Sequence, residues 1–253
     1  TGQIKANTPT ASQAAQYEPA IAVLGDGSFV VTWRTDAAQD GSGTGVYAQH
    51  FAANGSKLGG EFRVNTYTAG SQYQPDIAAL KDGGYLIVWR SDSQDLSSGG
   101  IYAQRYDAAG NTVGTEFRVN TTTANTQEEP AVTALENGGW VITWTDQYGA
   151  APNTYDVFLQ QYDAAGRQLD GQTLVNSYTP YVQYQPSITS MADGGFVVAY
   201  SSYVYSSDQN GDGLPDGGNN TQEIRLQRYS NTAPVLTDVF VSGRWDSSIV
   251  LNH

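Results

Sequence analysis

An all-β fold, a four-bladed β-propeller closed by its own N-terminal strand, is what this sequence predicts, and three observations predict it. One run of residues is written four times along the 253-residue chain: QYEPAIAVLGDGSFVVTW from Gln16, QYQPDIAALKDGGYLIVW from Gln72, QEEPAVTALENGGWVITW from Gln127 and QYQPSITSMADGGFVVAY from Gln183. Its prolines, Pro19, Pro75, Pro130 and Pro186, fall 56, 55 and 56 residues apart, a period of modular β architectures. Every copy divides into strand-like pieces at turn residues, and the one strand missing from the last copy is found at the start of the chain. A two-sheet β-sandwich is the alternative arrangement of the same strands.

In the first repeat the strands are expected at Ala20–Leu24, Phe29–Trp33, Val46–Phe51 and Glu61–Asn65. The first pair meets at Asp26-Gly27, and the later copies use Asp82-Gly83, Asn137-Gly138 and Asp193-Gly194. Such pairs supply the two positive φ angles of a type I′ hairpin. The second pair closes on AANG (Ala52–Gly55) and, later, on DAAG (Asp107–Gly110, Asp163–Gly166). Four antiparallel strands per repeat describe propeller blades. After Glu223–Tyr229 the fourth copy lacks the EFRVN or QTLVN strand of the others; Gln3–Thr8 matches that pattern and would complete the blade, leaving no free edge.

The aromatics of FVVTW, YLIVW, WVITW and FVVAY read as packing between blades, and Gln49, Gln104, Gln160 and Gln227 as structural amides between blades. Asn7, Asn65, Asn120 and Asn176 read as caps on strand ends. The propeller is assigned to residues 1–230. Residues 231–253 (NTAPVLTDVFVSG and onward) read as a linker and the beginning of a following β domain, so the chain is expected to be one monomeric unit of a longer protein.

Twelve Lys and Arg against 25 Asp and Glu give a net charge of −13, which repels nucleic acid and anionic membranes and favours cations. No apolar run reaches the length of a membrane span, so membrane insertion is not expected. There is no cysteine, and the two histidines, His50 and His253, are too few for a triad or a zinc site; His50 sits in a slot held by Arg105, Gln161 and Arg228 and reads as surface variation.

One motif carries metal chemistry. Asp208, Asn210, Asp212 and Asp216, with Gly213 at the sharp bend and the Leu214 carbonyl between, match the front of an EF-hand-type loop, which predicts Ca²⁺. Asn219 stands where the bidentate Glu would complete the shell. In the other repeats the corresponding acids, Asp36 and Asp40, Asp92 and Asp95, Asp146 and Asp156, read as solvated turns, with weak shared cation sites as the minority alternative. A hydrolytic pair among them is the weaker reading, because they recur with the repeat. Tyr178, Tyr181, Tyr203 and Tyr205 crowd the last two repeats and are the candidate ligand-binding residues for a glycan or peptide.

The run QYxPxIAxLxDGGFVVTW followed by GIYAQRYDAAGNTVGTEFRVNTTTANTQ (Gly100–Gln127) resembles repeats of very large secreted bacterial proteins of the RTX, or hemolysin-type calcium-binding, adhesin class, and NTAPVLTDVFVSG is similar to the start of a cadherin-like domain. That resemblance implies a secreted or cell-surface protein and a calcium-dependent module. The expected function is a non-enzymatic, extracellular binding module that engages glycan or peptide ligands on a host or neighbouring cell. A spacer stiffened by calcium is the alternative, and a glycoside-acting enzyme the third reading.

Overall fold

The computed structural model describes residues 2–8, 14–36, 42–147, 155–177, 182–205, 220–230 and 237–239. Within them all regular elements are strands, arranged as four antiparallel four-stranded sheets that fit the blades of a β-propeller. The first blade is β1 (Gln16–Val23), β2 (Phe29–Thr35), β3 (Gly45–Phe51) and β4 (Lys57–Arg63), in that spatial order. The second is β5 (Gln72–Ala79), β6 (Tyr85–Ser91), β7 (Gly100–Tyr106) and β8 (Thr112–Arg118); the third is β9 (Gln127–Ala134), β10 (Trp140–Asp146), β11 (Asp156–Tyr162) and β12 (Gln168–Leu174). The fourth is β13 (Gln183–Ser190), β14 (Phe196–Tyr205), β15 (Asn220–Tyr229) and β16 (Thr237–Val239). First strands pack in sequence, β1 on β5, β5 on β9 and β9 on β13, and among the described residues no comparable packing joins β13 back to β1.

Two local expectations are corrected. The Asp-Gly turns have positive φ only at the glycine (Gly27, +83°), and the Gly27 N–H donates to the Leu24 carbonyl at 3.0 Å. This is a three-residue loop with a glycine bulge rather than a type I′ turn, and Asp26 serves it by accepting from the Ser28 N–H at 2.9 Å instead of adopting a left-handed backbone. The recurring glutamines do not bridge blades: Gln49 Nε2 donates to the carbonyls of His50, Leu58 and Gly59, filling the register shift between β3 and β4 of its own blade.

The asparagines cap as expected and also join blades. Asn65, Asn120 and Asn176 each accept, through Oδ1, the N–H of Val46, Ile101 and Val157 at 2.8–2.9 Å. Each also donates through Nδ2 to the first glutamine of the next blade, Gln72, Gln127 or Gln183, at 3.0, 3.0 and 3.4 Å. Between blades the aromatic stripe is core. Tyr85, Ile87, Trp89 and Tyr106 of the second blade pack on Leu24, Val30, Val46 and Ala48 of the first. The same arrangement recurs between second and third blades around Trp140 and Trp144, and between third and fourth around Phe196 and Tyr200. His50 is not surface variation: it is buried and its Nε2 lies 3.0 Å from the Ser28 hydroxyl, because the turn it covers carries a serine where other blades have glycine.

The expected closing strand is also corrected. Residues 2–8 form no strand, and β16 occupies the outer edge of the fourth sheet, pairing Arg228 with Thr237 and Leu226 with Val239. The N-terminal segment lies instead against the first blade, where the Thr8 N–H donates to Glu61 at 2.5 Å. Thr66 makes the same bond to Glu116 at 2.6 Å, and Thr121 to Gln172 at 2.9 Å, one blade further on each time.

Candidate functional site

Every first strand carries the same backbone irregularity just before its proline. Glu18, Gln74, Glu129 and Gln185 all have φ between 53° and 55°, and the ladder shifts register there in each blade. Non-glycine residues held at positive φ cost about 1–3 kcal/mol each and persist where surroundings hold them. Here the surroundings are the neighbouring blades. The Gln74 N–H donates to Glu18 Oε2 at 2.7 Å, the Glu129 N–H to Gln74 Oε1 at 3.0 Å, and the Gln185 N–H to Glu129 Oε2 at 2.8 Å. The bulges thereby turn four acid or amide side chains toward one another where the four blades converge.

They line an open, shallow depression bordered by Glu18, Gln74, Asp76, Glu129, Gln185 and the repeat prolines. Its three carboxylates have unlike environments. Burial raises the pKa of Asp76 above the ordinary carboxylate value, although its Oδ2 accepts the Val132 N–H at 2.8 Å. Glu129 Oε2 accepts both the Gln185 N–H and the Thr145 hydroxyl (2.9 Å), while no donor among the described residues reaches its Oε1. Glu18 is engaged at both oxygens, by the Gln74 N–H and by Arg34 at 3.4 Å. Beside this mouth Arg90 joins Glu128 and Asp92 and stacks over the Tyr73 ring, whose hydroxyl donates to Asp92 at 3.0 Å.

A second acidic feature lies deeper. Asp146 and Asp156, expected in solvated turns, face each other across β10 and β11 and are 0% and 6% exposed. Asp146 stands where the other blades place Thr35, Ser91 and Ser202. Its Oδ1 accepts from Gln127 at 3.2 Å, and its Oδ2 is buried without a hydrogen bond. Burial pushes its pKa up from 3.8 to about 6, the Gln127 amide and Trp144 oppose that, and the Asp156 carboxylate adds to it. Burial raises Asp156 as well, against the Asn176 amide at 2.7 Å.

A folded-state pKa above the unfolded value means that the native protein binds a proton the unfolded chain has released. The stabilisation from Asp146 is therefore complete below about pH 4, fades as pH rises to about 6, and is absent above; its size is about 1–3 kcal/mol. Asp146→Asn, which mimics the protonated side chain, should raise stability in denaturant titrations near pH 7.5 by about that amount and leave it nearly unchanged near pH 4. Equal effects at both pH values would mean that the carboxyl does not titrate in this window.

The residues singled out in sequence are placed as follows. Asp208, Asn210, Asp212, Leu214, Asp216 and Asn219 lie outside the described residues, as do Tyr178 and Tyr181. Tyr205 belongs to β14, with its side chain outside the described atoms. Tyr203 stacks on Tyr184 of the same blade, centroids 5.7 Å apart and planes 12° from parallel. The axial residues were missed, and the signal was present: the slot before each repeat proline holds only Glu or Gln.

No protein-family model and no curated protein sequence matches the chain. Solved structures share its fold. An alpha-L-arabinanase of Penicillium chrysogenum, solved with arabinobiose, superposes with a TM-score of 0.62 at 17% identity over 94% of this chain and 70% of its own. A GH93 alpha-L-arabinofuranosidase of Fusarium graminearum gives 0.60 at 15% identity, over 88% of this chain and 65% of that one. An alpha-L-arabinofuranosidase of Lactobacillus brevis gives 0.53 at 13%, over 91% and 78%. At these identities the likeness is one of fold. It nonetheless overturns the expectation of a non-enzymatic adhesin module or calcium-stiffened spacer, because these fold relatives are glycoside hydrolases.

Proposed function

We propose that the chain is a four-bladed propeller unit that acts on glycosidic bonds at the axial mouth, with α-L-arabinofuranosides as the first substrates to try. The observation that carries this reading is the pairing of unlike carboxylates around one depression. Hydrolysis of a glycoside needs one carboxyl that is protonated and one that is ionised, and environments that push two pKa values apart assign those roles. Asp76, raised by burial, is the proton donor to the leaving oxygen. Glu129, positioned by two hydrogen bonds to Oε2, presents Oε1 to take a proton from a water as the water's oxygen bonds to the anomeric carbon. Glu18, fixed between Arg34 and the Gln74 N–H, is the third carboxylate placed to face a developing oxocarbenium ion. The fold relatives that act on arabinosides support the substrate class, and the secreted setting implied by the repeat resemblance belongs to the same proposal.

Incubation with 4-nitrophenyl α-L-arabinofuranoside and with arabinobiose across a pH series tests it. Turnover should fall at high pH as Asp76, its pKa raised by burial, ionises. No turnover on arabinosides or a wider panel of aryl glycosides would overturn the proposal.

A further inference from the structure

The first blade carries an open groove beside its bulge that its three counterparts lack. Tyr17, Pro19, Val31 and Trp33 form the apolar wall, and Asn7 and Gln16 the polar edge. Among the described residues no preceding blade packs on this face, so the wall stays uncovered. Pro19 is exposed where Pro75, Pro130 and Pro186 are buried, and Val31 is half-buried where Ile87, Ile142 and Val198 are fully buried.

The polar groups differ in the same sense. The Tyr73 hydroxyl donates to Asp92 and the Tyr184 ring lies against Tyr203, whereas Tyr17 is 46% exposed and its hydroxyl meets no partner among the described residues. Asn65, Asn120 and Asn176 each donate through Nδ2 to the first glutamine of the next blade. Asn7 matches them in the repeat and is followed by Gln16, yet its side-chain amide makes no hydrogen bond among the described residues and borders the groove instead.

The groove opens from the axial mouth. Pro19 borders both, and one guanidinium sets their spacing: Arg34 pairs with Glu18 at 3.4 Å and lies over the Tyr17 ring, 4.7 Å from its centroid. The charges at this junction select the guest. Glu18 repels an anion and Arg34 a cation, which leaves a neutral molecule with an apolar face for the tyrosine ring and hydroxyl groups for the unengaged amide. A sugar ring has that make-up.

We propose that the groove holds the sugar residue next beyond the two joined by the bond at the mouth, its ring against Tyr17 and its hydroxyls on Asn7, so that the chain favours arabino-oligosaccharides of three or more residues; this rests on the glycoside-acting reading of the mouth. Binding at such a distance from the reacting bond is available to position it.

Calorimetric titration of arabinotriose and of arabinobiose into the full chain carrying Asp76→Asn, which slows consumption of the sugar, provides the test. Arabinotriose should bind more tightly than arabinobiose. Adding Tyr17→Ala should weaken arabinotriose by about tenfold and arabinobiose by less, while Tyr17→Phe, which keeps the ring, should retain most of the affinity. Asn7→Ala should also weaken arabinotriose, and truncating this half-buried amide leaves the strands untouched. Arabinotriose that binds no more tightly than arabinobiose overturns the proposal, as does affinity that survives Tyr17→Ala in full, or a loss with Tyr17→Phe as large as that with alanine. Turnover by the wild-type chain is read separately. Hydrolysis of arabinobiose without tighter binding of arabinotriose would keep the mouth and remove the groove; Tyr17-dependent binding without hydrolysis of any glycoside would keep the groove and remove the chemistry of the mouth.

Discussion

Asp76→Asn is expected to lower hydrolysis of alkyl arabinosides and of arabinobiose by about 10² to 10⁴, the usual contribution of a general acid, while a 4-nitrophenyl arabinoside loses far less. The asymmetry follows from the leaving group. An alkoxide cannot depart without a proton, whereas a nitrophenolate can, so removing the donor is felt in proportion to leaving-group basicity. The folded state should tolerate the change, because the amide oxygen of Asn can still accept the Val132 N–H that Asp76 now accepts. Glu129→Gln should behave differently, depressing both substrates alike, since activation of water is needed whatever leaves. If Asp76→Asn slowed both substrates equally, Asp76 would be holding β9 in place through Val132 and would not be the acid.

How much of this was legible in the residues depends on whether a feature is local. Strand positions and the hairpin sites were, because turn glycines and apolar alternation act over a few residues; β2 and β3 lie within two residues of their expected ends. The turn type was not, because Asp26 satisfies the loop with its side chain and needs no positive φ of its own. The outer strands run Lys57–Arg63 and not Glu61–Asn65, since Asn65 leaves the ladder to tie Val46 to Gln72, a bond whose partner belongs to the next blade. The axial carboxylates escaped for the same reason. QYEP stands ahead of the expected first strand, Ala20–Leu24, and only contact between blades forces Glu18 and Glu129 into a left-handed backbone aimed at the axis. Asp146 looked like a polar turn residue because burial by the adjoining blade has no local signature beyond its replacing Thr35 and Ser91.

Repetition makes a control available inside one molecule. Ile77→Ala and Ile21→Ala delete the same atoms at the same slot of two blades, yet the first should cost about 2–5 kcal/mol of unfolding free energy and the second no more than about 0.5 kcal/mol. Ile77 is enclosed by Val30, Val46 and Trp89, so truncation leaves a cavity that the close-packed sheets cannot collapse. Ile21 is 61% exposed, and its loss returns little surface to water. Equal losses at the two positions would show that the first blade is already covered within a single chain, and the row of blades would then have to close on itself.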